Sequence, residues 1–202
     1  MKDIIITIGR EFGSGGREIG CKLSEKLGIP FYDKELISKV AEKIQCGEGA
    51  IEFYEEKAPA LMFAPNSLFA TYEMPMSDKI FIAQSHVIEE LANKESCIII
   101  GRCADYILKD NPRVFSVFIH SDIKHRVERK MKIVTDVPKE KMQSHILGID
   151  KKRAKYYSYY TDSKWGAAST YHMSLDSGMF GINGCVELIT QAIKMRDGGT
   201  EE

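Results

Sequence analysis

The sequence predicts an α/β fold in which a parallel five-stranded sheet lies between two layers of helices. Short apolar runs alternate along the chain with longer segments in which apolar residues recur at helical spacing. Several of these runs end directly in glycine, aspartate or a Gly-Arg pair. Strands that alternate with helices form parallel sheets covered on both faces, and such sheets bind ligands at the carboxyl ends of their strands.

The first half of the chain is expected to contain three strands. They are the isoleucine-rich run at 4–8, the run at 29–32 that ends before Asp33, and the strongly apolar run at 96–100. Helices are expected at 17–27, 34–44, 50–56 and 77–93. The segment at 58–75 is too apolar for a disordered linker, so it is either a hydrophobic loop on the core or a flap over a substrate.

The second half is expected to continue the alternation of strands and helices. Strands are expected at 113–119 and 171–175. Helices are expected at 104–108, 122–134, 137–157 and 182–196. Two of these boundaries carry turn or cap residues, because Ser121-Asp122 precedes the basic helix and Pro138 opens the long one.

A glycine-rich segment, GREFGSGGREIG from Gly9 to Gly20, joins the first strand to the first helix. Glycines let backbone N–H groups converge on an anion, and the start of the helix adds unsatisfied donors and partial positive charge. A tight strand–helix turn without a ligand would give the same pattern. The residues expected to bind phosphate are Gly13, Ser14, Gly15, Gly16 and Arg17.

The segment differs from a Walker A motif, G-x-x-x-x-G-K-[ST], at its charged end. Gly16 stands where lysine belongs, and Arg17 stands where the magnesium-binding hydroxyl belongs. Arg17 is therefore expected to supply the missing positive charge to the terminal phosphates of a nucleotide. The sequence contains no metal-binding motif, and Asp33 at the next strand end is the side chain expected to reach a magnesium ion.

Further charged residues stand at strand ends and on helix faces. Arg102 follows the third strand, where its guanidinium either binds a phosphate or forms a surface ion pair. Arg126 and Arg129 share one face of a basic helix, which is either functional or simply solvated. Asp150 and Arg153 also share a face, where they either contact substrate or form an intrahelical salt bridge worth about 0.3–0.5 kcal/mol.

The order of these motifs resembles that of the P-loop nucleoside monophosphate kinases, and most of all the cytidylate-kinase-like group. The matching residues, in chain order, are Gly13-Ser14-Gly15, Asp33, Gly101-Arg102, Arg126, Arg129, Lys130, Asp150 and Arg153. Cys103 replaces an aspartate of the family, and Ile146 replaces the first arginine of its lid motif. The resemblance extends from about residue 3 to 190 and is weakest at 46–76.

The resemblance implies a single P-loop NTPase-like domain over residues 1–202. An acceptor-binding or flap region would lie at about 34–93 and a helical lid at about 135–165. ATP with Mg²⁺ would bind at the glycine loop, and a monophosphate acceptor would bind nearby. The acceptor-binding residues would be Asp33, Arg102, Asp150 and Arg153. The catalytic residues would be Arg17, Arg126, Arg129 and Arg153.

Composition narrows the class of partner. The 202-residue chain has 44% apolar residues and a net charge of −1, so no global charge draws it to nucleic acid or to an anionic membrane. No apolar run approaches the ~20 residues of a membrane span. Five cysteines without a C-x-x-C pair, and a first strand with no secretory signal before it, predict a cytoplasmic location. The oligomeric state is left open.

The predicted function is an ATP-dependent phosphotransferase that acts on a nucleoside monophosphate, with small-molecule nucleotides as its partners. A kinase for another small metabolite is an alternative. So is a nucleotide-binding sensor with weak or lost catalysis, because the Walker lysine and hydroxyl are missing. An RNA-binding protein that uses the basic face at 124–132 has no support from net charge or from a recognised module.

Overall fold

The computed structural model describes residues 3–49 and 74–198, and five parallel strands form its central sheet. The strands lie side by side in the order β2-β3-β1-β4-β5. They are β1 (Ile5–Arg10), β2 (Phe31–Tyr32), β3 (Cys97–Ile100), β4 (Val114–His120) and β5 (Met173–Asp176). The predicted α/β class and parallel sheet are confirmed. The expected helix at 50–56 and most of the segment at 58–75 lie outside the described residues.

Helices connect the strands close to the predicted positions. They are α1 (Gly16–Leu27), α2 (Lys34–Lys43), α3 (Met76–Lys94), α4 (Ala104–Ile107), α5 (Ile123–Met131), α6 (Lys139–Thr161) and α7 (Ser177–Asp197). Helix α7 begins before the expected residue 182, but Gly181 interrupts it with φ 66° and ψ 172°. The periodic apolar pattern therefore marked only the part of α7 beyond this break. None of the helices in the described residues combines the length and apolar character that a bilayer span requires.

Buried side chains cover both faces of the sheet, which explains why its strands are continuous apolar runs. Successive side chains of a strand point to opposite faces. Ile5 belongs to a cluster with side chains of α2, α3 and α4, whereas Ile6 belongs to a second cluster with α1 and α7. Both isoleucines are fully buried. The helices thus form two layers, and β1 lies in the middle of the sheet between β3 and β4.

Strand β2 is shorter than predicted because it follows a proline at the edge of the sheet. Pro30 has no N–H to donate, although its carbonyl oxygen accepts the Ile98 N–H at 2.8 Å. The regular strand is therefore limited to Phe31 and Tyr32. This short strand places Asp33 directly at the carboxyl edge, at the start of α2.

Tyrosines attach the second half of α6 to two other helices. The Tyr156 hydroxyl donates to Gln84 Oε1 of α3 at 3.0 Å, and the Tyr157 hydroxyl donates to Asp105 Oδ2 of α4 at 2.6 Å. Burial raises the pKa of Asp105, although its hydrogen bonds oppose this shift. The tyrosine-rich sequence of α6 therefore packs this helix against α3 and α4.

We predict that Asp105→Asn changes how stability depends on pH. Relative to the wild type, the free energy of unfolding of the variant should increase from acid to neutral pH. A folded-state pKa raised above the unfolded value contributes stability at low pH, and that stability is lost as the pH rises through the folded-state pKa. The amide still accepts the Tyr157 hydrogen bond but carries no charge. Urea unfolding from about pH 4 to about pH 7 should therefore show the variant gaining stability over the wild type. The exposed Asp110→Asn is the control, and an equal trend in both variants would contradict the prediction.

Candidate functional site

The glycine loop lies between β1 and α1 with the backbone conformation that an anion cradle requires. Gly13 and Gly15 have φ values of 86° and 84°, which residues with side chains rarely adopt. A β-carbon on Gly15 would lie 2.4 Å from Ile182 Cδ1 of α7. Gly15 caps α1 without any side-chain hydrogen bond, so the N–H groups of the first turn have no side-chain cap. Such N–H groups bind phosphate oxygens well.

Helix α5 packs against this loop through a buried arginine. Arg126 is 5% exposed, and its guanidinium forms an ion pair with Asp150 of α6. Arg126 Nε also lies 3.5 Å from Glu11 Oε2. The same oxygen of Glu11 accepts the Ser121 N–H at 3.1 Å, which ties the residue after β1 to the end of β4. Arg126 thus stabilises the loop from within the protein.

Asp150 also binds the loop directly. Its Oδ1 accepts the Phe12 N–H at 2.7 Å, while its Oδ2 pairs with Arg126. The sequence allowed an intrahelical salt bridge between Asp150 and Arg153, but Asp150 pairs with Arg126 of α5 instead. Both oxygens of this carboxylate are therefore engaged by the protein, and α6 is joined to the glycine loop.

Two further cations of α5 lie beside the loop. Arg129 forms an ion pair with Glu18 of α1. Lys130 Nζ lies 4.1 Å from the centroid of the Phe12 ring, which is cation–π geometry. Burial lowers the pKa of Lys130, and the charges of Arg153 and Arg129 add to this shift. The predicted basic face of α5 is thus directed at the loop and is not simply solvated.

Arg17 reaches the end of β2. Its Nε donates to Asp33 Oδ2 at 2.7 Å, and this hydrogen bond raises the pKa of Arg17. The Arg17 side chain is nevertheless 63% exposed, compared with 13% for Asp33. An ion pair with one exposed partner contributes little to stability, about 0–1 kcal/mol, so Arg17 can leave Asp33 at small cost.

Arg153 and Arg102 lie near the same strand ends. Arg153 Nη1 donates to the carbonyl oxygen of Arg10 at 3.0 Å. Burial lowers the pKa of Arg153; the Asp150 carboxylate opposes this shift, and the charge of Arg102 adds to it. Arg102 follows β3, as the sequence predicted. Guanidinium groups from α6 and from the end of β3 therefore lie close enough to repel each other.

Arg10, the last residue of β1, belongs to this group of arginines, although the sequence analysis did not single it out. Burial lowers the pKa of Arg10 well below its ordinary value, and the charges of Arg153 and Arg102 add to this effect. The signal in the sequence was the one that identified Arg102, a cation at the end of an apolar strand. Arg10 lies within the glycine-rich segment from Gly9 to Gly20, whose pattern predicts phosphate binding through its glycines and Arg17.

The structure brings the predicted site residues together in two adjoining groups. The loop group contains Gly13, Ser14, Gly15, Gly16, Arg126, Arg129 and Asp150. The strand-end group contains Arg17, Asp33, Arg102 and Arg153, together with the unpredicted Arg10. Asp150 and Arg153, one helical turn apart on α6, connect the two groups.

The first turn of α7 also lies beside the loop. Ser177 Oγ donates to the carbonyl oxygen of Ser14 at 2.5 Å. Met179 and Phe180, just before the break at Gly181, are 78% and 46% exposed. Exposed apolar side chains next to an anion cradle offer a surface for the planar base of a nucleotide. They were not predicted from the sequence, because the periodic apolar pattern of this helix begins two residues later.

The arrangement fits nucleotide phosphates more readily than a metal held by protein ligands. Three carboxylates near the loop are paired with arginines: Asp33 with Arg17, Glu18 with Arg129, and Asp150 with Arg126. Within residues 3–49 and 74–198, no group of three or more His, Cys, Asp or Glu side chains is placed to hold a metal ion. Magnesium at this site would depend mainly on phosphate oxygens and water.

Comparison with known proteins places the chain among kinase-like sequences. The sequence model of the Cytidylate kinase-like family matches residues 5–179. No curated protein matches the sequence significantly. The crystal structure of an uncharacterized protein from Eubacterium ventriosum ATCC 27560 is 32% identical, with a TM-score of 0.72, and the match covers 95% of this chain and 98% of that chain.

More distant structures share the fold. Shikimate kinase from Bacteroides thetaiotaomicron is 14% identical, with a TM-score of 0.59, over 95% of this chain and 99% of that chain. The YorR protein from Bacillus subtilis, solved in complex with phosphorylated GDP, is 12% identical, with a TM-score of 0.52, over 98% and 99% of the two chains. At these identities the likeness shows the fold, which is that of the P-loop kinases, as predicted.

We predict that Asp150→Ala destabilises the protein by about 3–5 kcal/mol, because it leaves the buried Arg126 without its main partner. The variant also leaves the Phe12 N–H without an acceptor. Urea unfolding measures the change in the free energy of unfolding. Lys151→Ala, on the exposed side of the same helical turn, is the control and should change that free energy by no more than about 0.5 kcal/mol. A similarly small effect of Asp150→Ala would mean that Glu11 alone neutralises Arg126.

Proposed function

Because this chain belongs to the cytidylate kinase-like family, we propose that it transfers the γ-phosphoryl group of ATP to a nucleoside monophosphate. Family and fold support a phosphotransferase of the nucleotide or small-metabolite type. One observation carries the more specific proposal. An anion cradle, the glycine loop, lies at the same edge of the sheet as arginines from the ends of β1 and β3.

In this proposal the triphosphate of ATP binds to the glycine loop. The N–H groups of the loop and of the first turn of α1 donate to its oxygens. Arg129 and Lys130 lie beside the loop and neutralise negative charge there. The nucleoside end of ATP packs against the exposed Met179 and Phe180.

The transfer step depends on positioning and on neutralisation of charge. An oxygen of the acceptor phosphate attacks the γ-phosphorus in line, and the bond from that phosphorus to the β–γ bridging oxygen of ATP breaks. The second pKa of a phosphate monoester is about 6, so the attacking oxygen is already ionised at neutral pH and needs no general base. Arg153 connects the loop group to the strand-end group, which suits it to contact the transferring group.

Magnesium, when bound with ATP, neutralises charge on the β- and γ-phosphate oxygens. Asp33 is the carboxylate of this chain that would add a protein ligand, after Arg17 has moved from it to the phosphates. No serine or threonine follows the loop glycines to hold the ion. We therefore expect a magnesium-dependent but slow reaction.

The segment at 135–165 is proposed to act as a lid that excludes water from the reaction. Its main element is α6, which carries Asp150 and Arg153 to the two groups of the site. The end of α6 is attached to α3 and α4 by Tyr156 and Tyr157. Closure would therefore involve the turn before α6 and its first residues more than the part from Asp150 onwards, which is attached to the glycine loop, α3 and α4.

Two alternatives rest on specific departures from the family pattern. Cys103 replaces an acidic residue beside Arg102, which favours an acceptor other than a nucleoside monophosphate. The missing Walker lysine and hydroxyl favour a nucleotide sensor without catalysis. Release of ADP, measured by a coupled assay, separates these possibilities. CMP, UMP, AMP, GMP and small hydroxy acids should be tested as acceptors. Turnover with a monophosphate supports the proposal, whereas turnover with a hydroxy acid alone, or with no acceptor, overturns it.

We predict that Arg17→Ala weakens the binding of ATP about tenfold or more, with a much smaller effect on AMP. The reason is that Arg17 is proposed to contact the terminal phosphates, and a charge-assisted contact is worth about 1.5–3 kcal/mol. Arg17→Lys should retain part of the affinity. Calorimetry measures both nucleotides, and Lys26→Ala, an exposed residue near the end of α1, is the control. Equal losses for ATP and AMP would show that Arg17 only maintains the loop, which would favour the sensor.

We predict that Arg102→Ala mainly raises the acceptor KM, whereas Arg153→Ala mainly lowers kcat. Each arginine is proposed to make a charge-assisted contact worth about 1.5–3 kcal/mol, with the acceptor phosphate and with the transferring group respectively. Steady-state kinetics measure both parameters. An unchanged acceptor KM in Arg102→Ala would refute the assignment of the β3 end.

Hydrogen exchange tests the proposed lid. Slower exchange across α6 with ATP and acceptor together would support its role in the lid.

A further inference from the structure

The side chain of Arg10 occupies a gap that two glycines leave open. A β-carbon on Gly101 would lie 1.9 Å from Arg10 Nη1, and a β-carbon on Gly16 would lie 2.7 Å from Arg10 Cβ. Any other residue at position 101 would therefore displace the guanidinium. Glycine at both positions thus keeps the Arg10 side chain between the end of β3 and the start of α1.

Arg10 differs from Arg17, Arg126 and Arg129, each of which pairs with a carboxylate. Across residues 3–49 and 74–198, no hydrogen bond or ion pair engages its nitrogen atoms. The carboxylate whose charge acts on it belongs to Asp33, and Asp33 already pairs with Arg17. The positive charges of Arg153, Arg102 and Arg17 repel it.

A cation in this environment costs free energy in the absence of an anion. Burial and neighbouring positive charges both disfavour the charged form, which is why the pKa of Arg10 is lowered. Arg10 is partly exposed, and a charge that is partly withdrawn from water is usually paired or binds a ligand. Arg10 therefore has the properties of a ligand-binding residue, because a bound anion would provide the compensation that the described part of the chain does not.

The position of Arg10 in the sheet identifies which substrate it faces. The loop contacts α5 and α7, which follow β4 and β5 on one side of β1. Arg10 instead extends towards Gly101 at the end of β3, on the side of β1 that leads to β2 and Asp33. The guanidinium of Arg10 thus lies next to the start of α1, on the β3 side of the glycine loop and away from the α5 and α7 side.

We propose that Arg10 binds the phosphate group of the acceptor and restricts the enzyme to acceptors that carry one. This inference rests on the proposed phosphotransferase function. A phosphate monoester has close to two negative charges and three terminal oxygens, whereas a carboxylate has one charge and two oxygens. Arginines from the ends of β1 and β3 and from α6 act on one another here, and their combined positive charge matches the phosphate better.

The test is equilibrium binding by Arg10→Gln, which removes the charge and keeps a side chain of moderate length. Calorimetry is performed with CMP, UMP, AMP and GMP, with the four corresponding nucleosides, and with a non-hydrolysable ATP analogue. For the monophosphate that the wild type binds best, we expect affinity to fall about tenfold to 100-fold in Arg10→Gln. The ATP analogue and the nucleosides should bind both proteins equally.

Two controls separate binding from folding. Arg196→Gln, on the last turn of α7, should leave all affinities unchanged. Thermal unfolding of Arg10→Gln without ligand should give a Tm equal to or above that of the wild type, because the variant lacks an uncompensated cation. Arg10→Lys keeps the charge without the planar fork, so it should lose less affinity than Arg10→Gln.

The outcomes distinguish this inference from the proposed function. Unchanged monophosphate binding by Arg10→Gln, a loss confined to the ATP analogue, or a large fall in Tm would overturn the role of Arg10. So would a wild-type protein that binds none of the four monophosphates. Monophosphate binding that depends on Arg10, in a protein that transfers no phosphoryl group, would support the inference while the proposed function failed.

Discussion

The buried guanidinium of Arg126 joins parts of the site that are far apart in the sequence. It pairs with Asp150 of α6 and lies 3.5 Å from Glu11, while Asp150 also accepts the Phe12 N–H. A buried charge that loses its partner is strongly destabilising, by several kcal/mol. The glycine loop, α5 and α6 are therefore obliged to keep their relative positions. The cradle for an anion is built around a charge that is itself neutralised by protein.

The two groups of the site differ in how their charges are balanced. In the loop group, Arg126 and Arg129 each pair with a carboxylate from another helix. In the strand-end group, Arg17 pairs with Asp33, while Arg10 repels and is repelled by its neighbours. The first pattern favours a rigid cradle that exists before any ligand arrives. The strand-end pattern favours a site that is stabilised when an anion binds. Binding sites of this kind lower the stability of the ligand-free protein in return for function.

The sequence predicted the fold well because the apolar runs of a doubly covered sheet are unambiguous. It failed where local pattern and tertiary contact disagree. Pro30 shortened β2, and Gly181 separated the first turn of α7 from its periodic part. Helical spacing left open a salt bridge between Asp150 and Arg153, but Asp150 pairs with the buried Arg126 of α5 instead. Arg10 was missed because its significance depends on Gly16 and Gly101, which are near it only in the folded chain.

The close fit of Arg10 between two glycines has a consequence for how this sequence can change over evolutionary time. A β-carbon at position 101 would lie 1.9 Å from the end of the Arg10 side chain, so the guanidinium would have to leave its present place. Gly101 also has φ 68°, a conformation that other residues rarely adopt, so glycine is favoured there even without Arg10. A lineage that abandoned phosphate-bearing acceptors would therefore lose the constraint on position 10 but keep the one on position 101. Among descendants with different substrates, position 10 should vary more than position 101, although the two residues lie side by side in the fold.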